Sequence, residues 1–354
     1  MRIVVTGATG HVGTEVLKRL QAARSGEGAD LELVGVVRRE PDQDAAPYHG
    51  VEWHAVDIGA REDQPALEEA MAGADAVVHL AWLIQPNHNR ELLRRTNVAG
   101  TAHVLAAARK AGVGHIVCAS SVGAYAPAPK DQRTKEGWPA AGIHTSHYSA
   151  DKAAQERILD SFAKENPDIV VARLRPALTF SAGAGSEVGR YFLGRFLPRL
   201  VPRRPWLPLL ALPNELVFQA VHAADVADAY WRALERKAEG AFNIAAEPVI
   251  DPNALAWIFN ARRLLPFPLP VLRAVVEVSW RLRLQVTDGG WVDMAANSPI
   301  MDTSRAHRLL GWSPQHSSLE SLAEMLDGIG AGKGRKTSPP LQPRQPLIRT
   351  STPR

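Results

Sequence analysis

The 354-residue chain predicts an α/β fold, a doubly wound parallel sheet joined to a smaller, discontinuous lobe drawn mainly from its C-terminal half. Three observations predict it. Short apolar runs rich in Val and Ile punctuate the first half: "RIVVTG", "LELVGVVR", "VEWHAVD", "AVVHLA", "HIVCASS" and "DIVVARLRP". Most are continuous rather than alternating, the pattern of strands buried on both faces. The segments between them, such as "TEVLKRLQAA" and "GTAHVLAAARKAG", carry helical spacing, and regular strand–helix alternation builds a parallel sheet.

In chain order, the strand "RIVVTG" feeds a glycine-bearing turn and then the helix of "TEVLKRLQAA". The same alternation continues to "DIVVARLRP". After Pro176 it breaks into the Pro-rich "FLPRLVPRRPWLPLLALPN". "AADVADAYWRALER" and "GAFNIAAE" restore it, before helical segments and "LLGWSP" close the fold. The expected dinucleotide-binding domain therefore spans residues 1–175, with 218–249 returning to it, and the substrate lobe spans 176–217 and 250–329. Residues 330–354, "GAGKGRKTSPPLQPRQPLIRTSTPR", are expected to form a disordered basic, Pro-rich tail because they lack apolar content to pack.

Composition narrows the classes of function. A hydrophobic share of 45%, with 22% charged residues and nine Trp, supports a large core and argues against wholesale disorder. The lone cysteine, Cys118, excludes an internal disulfide and reads as a buried strand residue rather than a reactive thiol. Met1 leads straight into a strand pattern without a basic leader and apolar stretch, so a cytoplasmic location is expected. No run of about eighteen uncharged apolar residues is present, so no membrane span is expected. Residues 267–286 read instead as an amphipathic helix covering the core or a dimer partner, with Arg273, Glu277, Arg281 and Arg283 along it. The net charge of +4 is local, concentrated in Arg190, Arg195, Arg199, Arg203 and Arg204 and in the tail from Lys333. No nucleic-acid module accompanies it, so a nucleic-acid partner is not expected. The twelve His show no metal-ligand spacing, and no metal is expected.

"VVTGATGHVGTEV" places Gly7, Gly10 and Gly13 between the first strand and the first helix. Glycines there allow a tight turn, let a backbone approach a pyrophosphate, and let helix and strand pack closely. The helix N-terminus adds N–H donors and partial positive charge. A glycine triplet alone is an ordinary turn; its position directly after a clear strand points to dinucleotide binding. At the end of the second strand, "GVVRRE" offers Arg38, with Arg39 beside it, where an acid would meet a ribose 2′-hydroxyl, and an arginine fork suits a 2′-phosphate. NADP is accordingly favoured over NAD.

"HYSADKAAQE" carries Tyr148 and Lys152 four residues apart on one helix face. A phenol with a pKa near 10 is a poor base at neutral pH. A neighbouring ammonium favours the phenolate, which makes Tyr148 a plausible acid/base. The preceding strand ends in Ser120 and Ser121, at the carboxyl edge where open parallel sheets bind ligands.

The GxxGxxG spacing, the Tyr–Lys pair, "RTNVAGT", "VHAADVADA" (221–229), "GAFNIAA" and "LLGWSP" together resemble the extended short-chain dehydrogenases/reductases, the NAD-dependent epimerase/dehydratase family, over roughly residues 1–325. The resemblance implies a Rossmann fold and hydride transfer between a nicotinamide and a carbon bearing oxygen. In it Tyr148 moves the hydroxyl proton, Lys152 also holds the nicotinamide ribose, and Ser121 polarises the substrate oxygen. Asn97 supports a water relay to the lysine. Cofactor contacts are implied at Gly7, Thr9, Gly10, His11, Val12, Gly13, Arg38, Asp57, Ile58, Leu80, Ala81, Ala119, Tyr148, Lys152 and Pro176, with Asp57 at the adenine and Ala81 as the small residue that lets the cofactor pass. A homodimer through the helices of "GTAHVLAAARK" and "YSADKAAQERILDSF" is implied as well.

Departures from the family pattern narrow the reaction. Leu178, Ser181 and Ala182 of "RPALTFSAGAG" stand where sugar-nucleotide members carry an asparagine and a "G-P" turn. Val122 and Gly123 stand where a dehydratase needs an acidic pair. Oxidation or reduction of a carbonyl/alcohol pair on a small molecule is the expectation that survives. The alternatives are a nucleotide-sugar epimerase and a non-catalytic nucleotide-sensing protein. Trp206, Leu207, Leu209, Leu210 and Leu212 either line an apolar substrate pocket or pack the core.

Overall fold

A computed structural model describes residues 1–26, 28–84, 88–192 and 207–343. The chain begins β1 (Arg2–Thr6), α1 (His11–Gly26), β2 (Glu32–Val37), β3 (Glu52–Ala55), α2 (Gln64–Ala70) and β4 (Ala76–His79). Helix α3 (Arg90–Arg94) then runs through a π-helical turn at Arg95–Ala99 into α4 (Gly100–Lys110). Next come β5 (His115–Ala119), β6 (Arg133–Thr134), α5 (His147–Glu165), β7 (Val170–Pro176), β8 (Leu178–Phe180) and α6 (Gly185–Phe192). The rest comprises β9 (Leu210–Leu212), β10 (Ala220–His222), α7 (Ala223–Glu235), β11 (Gly240–Ile244), α8 (Pro252–Ile258), β12 (Leu264–Pro266), α9 (Leu269–Arg281), α10 (Gly289–Asn297), β13 (Ile300–Met301) and α11 (Ser318–Gly330).

Seven of these strands form one parallel sheet in the order β11-β7-β5-β4-β1-β2-β3. The strands pair in the core because their side chains are apolar on both faces, and each face has its own helical cover. Val16, Leu17 and Leu20 of α1 pack with Val226, Tyr230 and Leu234 of α7 on one side. Leu67 of α2, Val104 and Leu105 of α4, and Leu159 of α5 pack on the other. The strand order reverses between β1 and β4, which opens a crevice at their carboxyl ends, the place where such sheets accept ligands.

Outside the sheet, β8 pairs with β10, β9 with β12, and β13 with β6. Leu210 and Leu212 pack with Ile250, Leu255 and Leu322 in a small separate cluster, so they fill the lobe's core. Leu209 is exposed, and Trp206, Arg195, Arg199, Arg203 and Arg204 lie outside the described residues. The amphipathic helix expected at 267–286 forms as α9, yet none of its side chains is buried, and Val271, Val275 and Val278 stay about half exposed. Among the described residues no helix is long and apolar enough to cross a membrane.

The tail corrects its expectation. Residues 331–343 fold back on the glycine-bearing turn, with Ser338 and Leu341 buried. Their composition is poor in apolar residues, but the segment is held mainly by hydrogen bonds. Arg335 N–H donates to the Leu341 carbonyl at 2.6 Å, and the Ser338 hydroxyl donates to the Thr9 carbonyl at 2.7 Å. Gly334 permits the fold-back, since a methyl group on it would sit 2.4 Å from that Leu341 oxygen. Residues 344–354 lie outside the described residues.

Candidate active site

The crevice at the β1/β4 reversal is a cleft of about 840 Å³, counting the part open to solvent. Gly7, Thr9, Gly10, Arg38, Ile58, Leu80 and Ala81 line it, together with Arg39. The turn's geometry requires its glycines. Gly7 has φ +71°, and a methyl group there would meet the Ala81 Cα at 2.8 Å, while one on Gly13 would meet the Gly7 oxygen at 2.3 Å. Gly10 presents bare backbone to the cleft at the head of α1. A phosphate-sized anion fits this cradle: small residues, free approach to backbone, and a helix N-terminus together. Arg38 and Arg39 are exposed at the end of β2, beside the same cleft.

Other expected contacts lie differently. His11 Nε2 bonds the Ser181 hydroxyl at 2.7 Å, and burial carries its pKa down to about 4. Val12 and Gly13 pack behind the turn rather than on the cleft wall. The Asp57 carboxylate accepts the Gly59 N–H at 3.0 Å and pairs with Arg95 at 3.3 Å. The Ala119 carbonyl accepts from Lys152 Nζ at 2.7 Å. Pro176 ends β7, where it pairs in register with Ile244.

Tyr148 and Lys152 lie one turn apart on α5, whose first turn is capped by Ser146. Tyr148 is partly buried, and desolvation pushes its hydroxyl up to about 12, with the nearby Ser121 side chain offsetting part of the rise. Lys152 is also buried, and burial lowers its ammonium to about 7. The expectation that Lys152 draws the phenol down is therefore corrected: desolvation outweighs charge here and drives both groups toward their neutral forms. Lys152 Nζ donates to Gln155 Oε1 at 2.9 Å and sits 3.4 Å above the Trp82 ring. From Gln155 a buried polar chain continues through Thr101 and His79 to Thr6, the residue before Gly7.

Ser121 caps the short turn Val122–Ala124, accepting the Gly123 N–H at 3.0 Å. Asn97 is buried in the π-helical turn, where its side chain grips the Leu83 backbone through bonds of 2.7 and 3.1 Å. Those two bonds place it on the segment that follows β4 rather than on Lys152. Ser120 and both strand arginines serve packing: Ser120 donates to Glu156 at 2.5 Å, and Arg173 and Arg175 clamp the same carboxylate at 2.8–2.9 Å. Burial alone would raise Glu156, but bonds and charge from Arg175, then Arg173, carry it down to about 2.

Several residues escaped the sequence reading. Trp82, within the quoted "HLAW", touches Lys152 and meets the Tyr148 ring edge-on with centroids 6.0 Å apart. Trp291 of α10 lies 5.3 Å from that ring on another side. Gly123 lets the ring approach, because a methyl group there would stand 2.9 Å from Tyr148 Cε1 and 3.2 Å from Met294 Sδ. Pro340 and Glu187 also line the cleft. Trp82 was legible beside Ala81; nothing in the composition of the tail marked Pro340.

A profile described as the NAD dependent epimerase/dehydratase family matches residues 3–245. The chain belongs to that family. A ketoreductase from Stigmatella aurantiaca, named for a 4-farnesyl-3,4-dihydroquinoline-1-oxide, is 26% identical over 352 residues, covering 94% of this chain and 98% of that protein. An uncharacterized protein of Mycobacterium tuberculosis is 27% identical over 341 residues, 95% of this chain but 31% of that protein. The chain thus spans about a third of the length of that protein and its Mycobacterium bovis counterpart. Among solved structures, Thermus thermophilus UDP-glucose 4-epimerase with NAD superposes with a TM-score of 0.65 at 20% identity, covering 93% of this chain and 99% of that one. A dTDP-glucose 4,6-dehydratase from Streptomyces venezuelae, also with NAD, gives 0.67 at 18% identity, covering 93% and 96%. These structures share the fold of this family member.

Proposed function

We propose that this family member reduces or oxidises a carbonyl/alcohol carbon of an apolar small molecule, using a nicotinamide dinucleotide. The observation that carries the reading is the partly buried Tyr148 ring, one helical turn from Lys152 and walled by Trp82 and Trp291, with Trp82 itself lining the glycine-bearing cleft. When bound, the dinucleotide supplies or accepts the hydride. In the reducing direction Tyr148, kept as a neutral phenol by burial, donates its proton to the substrate oxygen while the Ser121 hydroxyl holds that oxygen. The Lys152 ammonium, one turn along α5, stabilises the phenolate left behind. Asn97 holds the Leu83 backbone and so shapes the wall next to Trp82.

Two aromatic rings and Met294 around the phenol favour an apolar substrate. The Stigmatella ketoreductase, named for a farnesylated compound, supports that class. Ser181, which stands where sugar-nucleotide members seat a diphosphate, is buried and spent on His11. Exposed Arg38 and Arg39 favour a 2′-phosphate and hence NADP, although the solved neighbours hold NAD. A groove between α4 and α5, lined by Ala102, Ala106, Ile158 and Phe162, supports a homodimer through these helices. A soluble, cytoplasmic protein fits this reading.

The experiment is a 340 nm screen of ketones and aldehydes, prenylated quinolones and steroids included, with NADPH and NADH, run beside Tyr148→Phe. Turnover by the parent and loss of at least about 10²-fold in the variant, with cofactor binding kept, supports the reading. Undiminished turnover in Tyr148→Phe sinks it. Tight UDP binding by the cofactor-loaded protein would move the reading to a sugar-nucleotide epimerase. Arg38→Asp should weaken NADPH much more than NADH, and equal effects remove Arg38 from cofactor choice.

A further inference from the structure

We propose that residues 333–341 form a strap that completes the outer wall of the dinucleotide cleft and holds the adenosine and pyrophosphate half of the cofactor in place. The inference rests on the reading that this cleft takes a nicotinamide dinucleotide. Four bonds tie the strap to separate pieces of the cleft's frame. The Lys333 carbonyl accepts the Ser186 N–H of α6 at 2.9 Å, and Arg335 pairs with Glu15 of α1 at 3.1 Å. The Thr337 carbonyl accepts the Asp42 N–H at 3.0 Å, in the loop that follows Arg38 and Arg39. The Ser338 hydroxyl donates to the Thr9 carbonyl at 2.7 Å, within the glycine-bearing turn itself.

The placement of these anchors says what the strap does. Thr9 lies between Gly7 and Gly10, and all three line the cleft, so the Ser338 bond fixes the backbone that would meet a pyrophosphate. Ser338 and Thr9 are both buried, which leaves this bond out of competition with water. Two residues on, Pro340 is itself part of the cleft wall. The strap closes a small loop on itself through Arg335, Ser338 and Leu341, and the buried Leu341 side chain anchors its far end. It therefore presents a preformed surface, and a preformed wall slows ligand escape without an ordering cost at binding. Its charge suits the same end of the ligand: Lys333 and Lys336 are exposed, and Arg38 and Arg39 stand across the Asp42 loop that Thr337 holds. The occupant this wall fits is the phosphate-bearing adenosine portion, not the nicotinamide, which belongs at Tyr148 on the far side of Trp82's segment.

The test compares the full chain with a form ending at Ala331 and with Ser338→Ala/Pro340→Gly in the full chain. NADPH and ADP affinities are measured by calorimetry, NADPH release by stopped-flow displacement, and folding by thermal melting without cofactor. The expected result is at least tenfold weaker NADPH and ADP binding in the shortened form, most of it in faster release. The double variant should lose about threefold or more, with melting close to the parent's. A structural role alone would lower melting without changing release from the folded fraction. If the shortened form does not fold, the double variant decides. Unchanged or tighter NADPH binding overturns the strap, tighter binding marking it as an inhibitory contact instead. If the full chain binds no dinucleotide, the reading of the cleft falls first and the strap with it; binding by the full chain with no difference among variants removes the strap alone.

Discussion

Gly123→Ala isolates the position of the Tyr148 ring. The added methyl would stand 2.9 Å from Tyr148 Cε1 and 3.2 Å from Met294 Sδ, against an ordinary carbon–carbon contact near 3.6 Å. The ring must therefore retreat by roughly 0.7 Å, or the backbone of the Ser121 turn must do so, and that turn is pinned by the Ser121–Gly123 bond. Gly123 has no positive φ, so alanine costs nothing in backbone conformation and the effect is purely steric. Overpacking of this kind typically costs about 1–3 kcal/mol of stability. Displacing an acid/base group by most of an ångström costs up to about 10²-fold in rate. Gly123 does not line the glycine-bearing cleft, so NADPH affinity should fall far less than kcat. The assay is kcat with a carbonyl substrate from the screen, beside NADPH titration of Trp fluorescence and urea denaturation. A kcat within twofold of the parent would show that the phenol's position against Ser121 does not govern turnover.

Three further outcomes follow from the same geometry. Lys152 binds its proton less tightly folded than unfolded, with a folded pKa of about 7 against 10.5, so stability should rise with pH across that window. Lys152→Met should flatten the rise in denaturation curves, and the proposed reductase activity should fall in the parent as pH climbs past 7 and the ammonium is lost. Glu156→Gln leaves two buried guanidinium groups short of charge and should cost about 3–5 kcal/mol in urea unfolding. The Glu156 pKa of about 2 lies below its ordinary 4.5, so the gap to the parent should close as pH falls from 4.5 toward 2. If the proposed homodimer forms through the groove between α4 and α5, Ala102→Arg should convert it to a monomer by sedimentation with little change in melting; an unchanged sedimentation coefficient would remove this groove as a dimer contact.

The sheet was legible because its signal is local: continuous Val/Ile runs report strands covered on both faces, and each of the six quoted runs holds a strand of the central sheet. The glycine-bearing turn was legible for the same reason, since positive φ at Gly7 and the close approach to Ala81 can be met only by glycine. Side chains that meet across the fold left no such mark. Trp291 reaches Tyr148 from a helix more than a hundred residues later, and Pro340 reaches the cleft from a segment whose composition spoke for disorder. The electrostatic expectation erred because it counted charges by spacing. Spacing places an ammonium near a phenol but says nothing about how much water either keeps, and burial decides the sign for both.

One helix face joins catalysis to stability. Tyr148, Lys152 and Glu156 follow one another at intervals of four on α5, so they form a single stripe. Its lower end is fixed by Glu156, which Arg173 and Arg175 of β7 grip while Ser120, just past the end of β5, donates a fourth bond. Ser120 is the neighbour of Ser121. The ion cluster therefore sets both the height of α5 against the sheet and the strand end that carries Ser121. A buried cluster of this kind is a poor source of net stability, because desolvation offsets most of its attraction. Its value lies in geometry: charge pairs in a dry interior tolerate little slippage, and the acid/base group proposed two turns away would need placement to within about half an ångström.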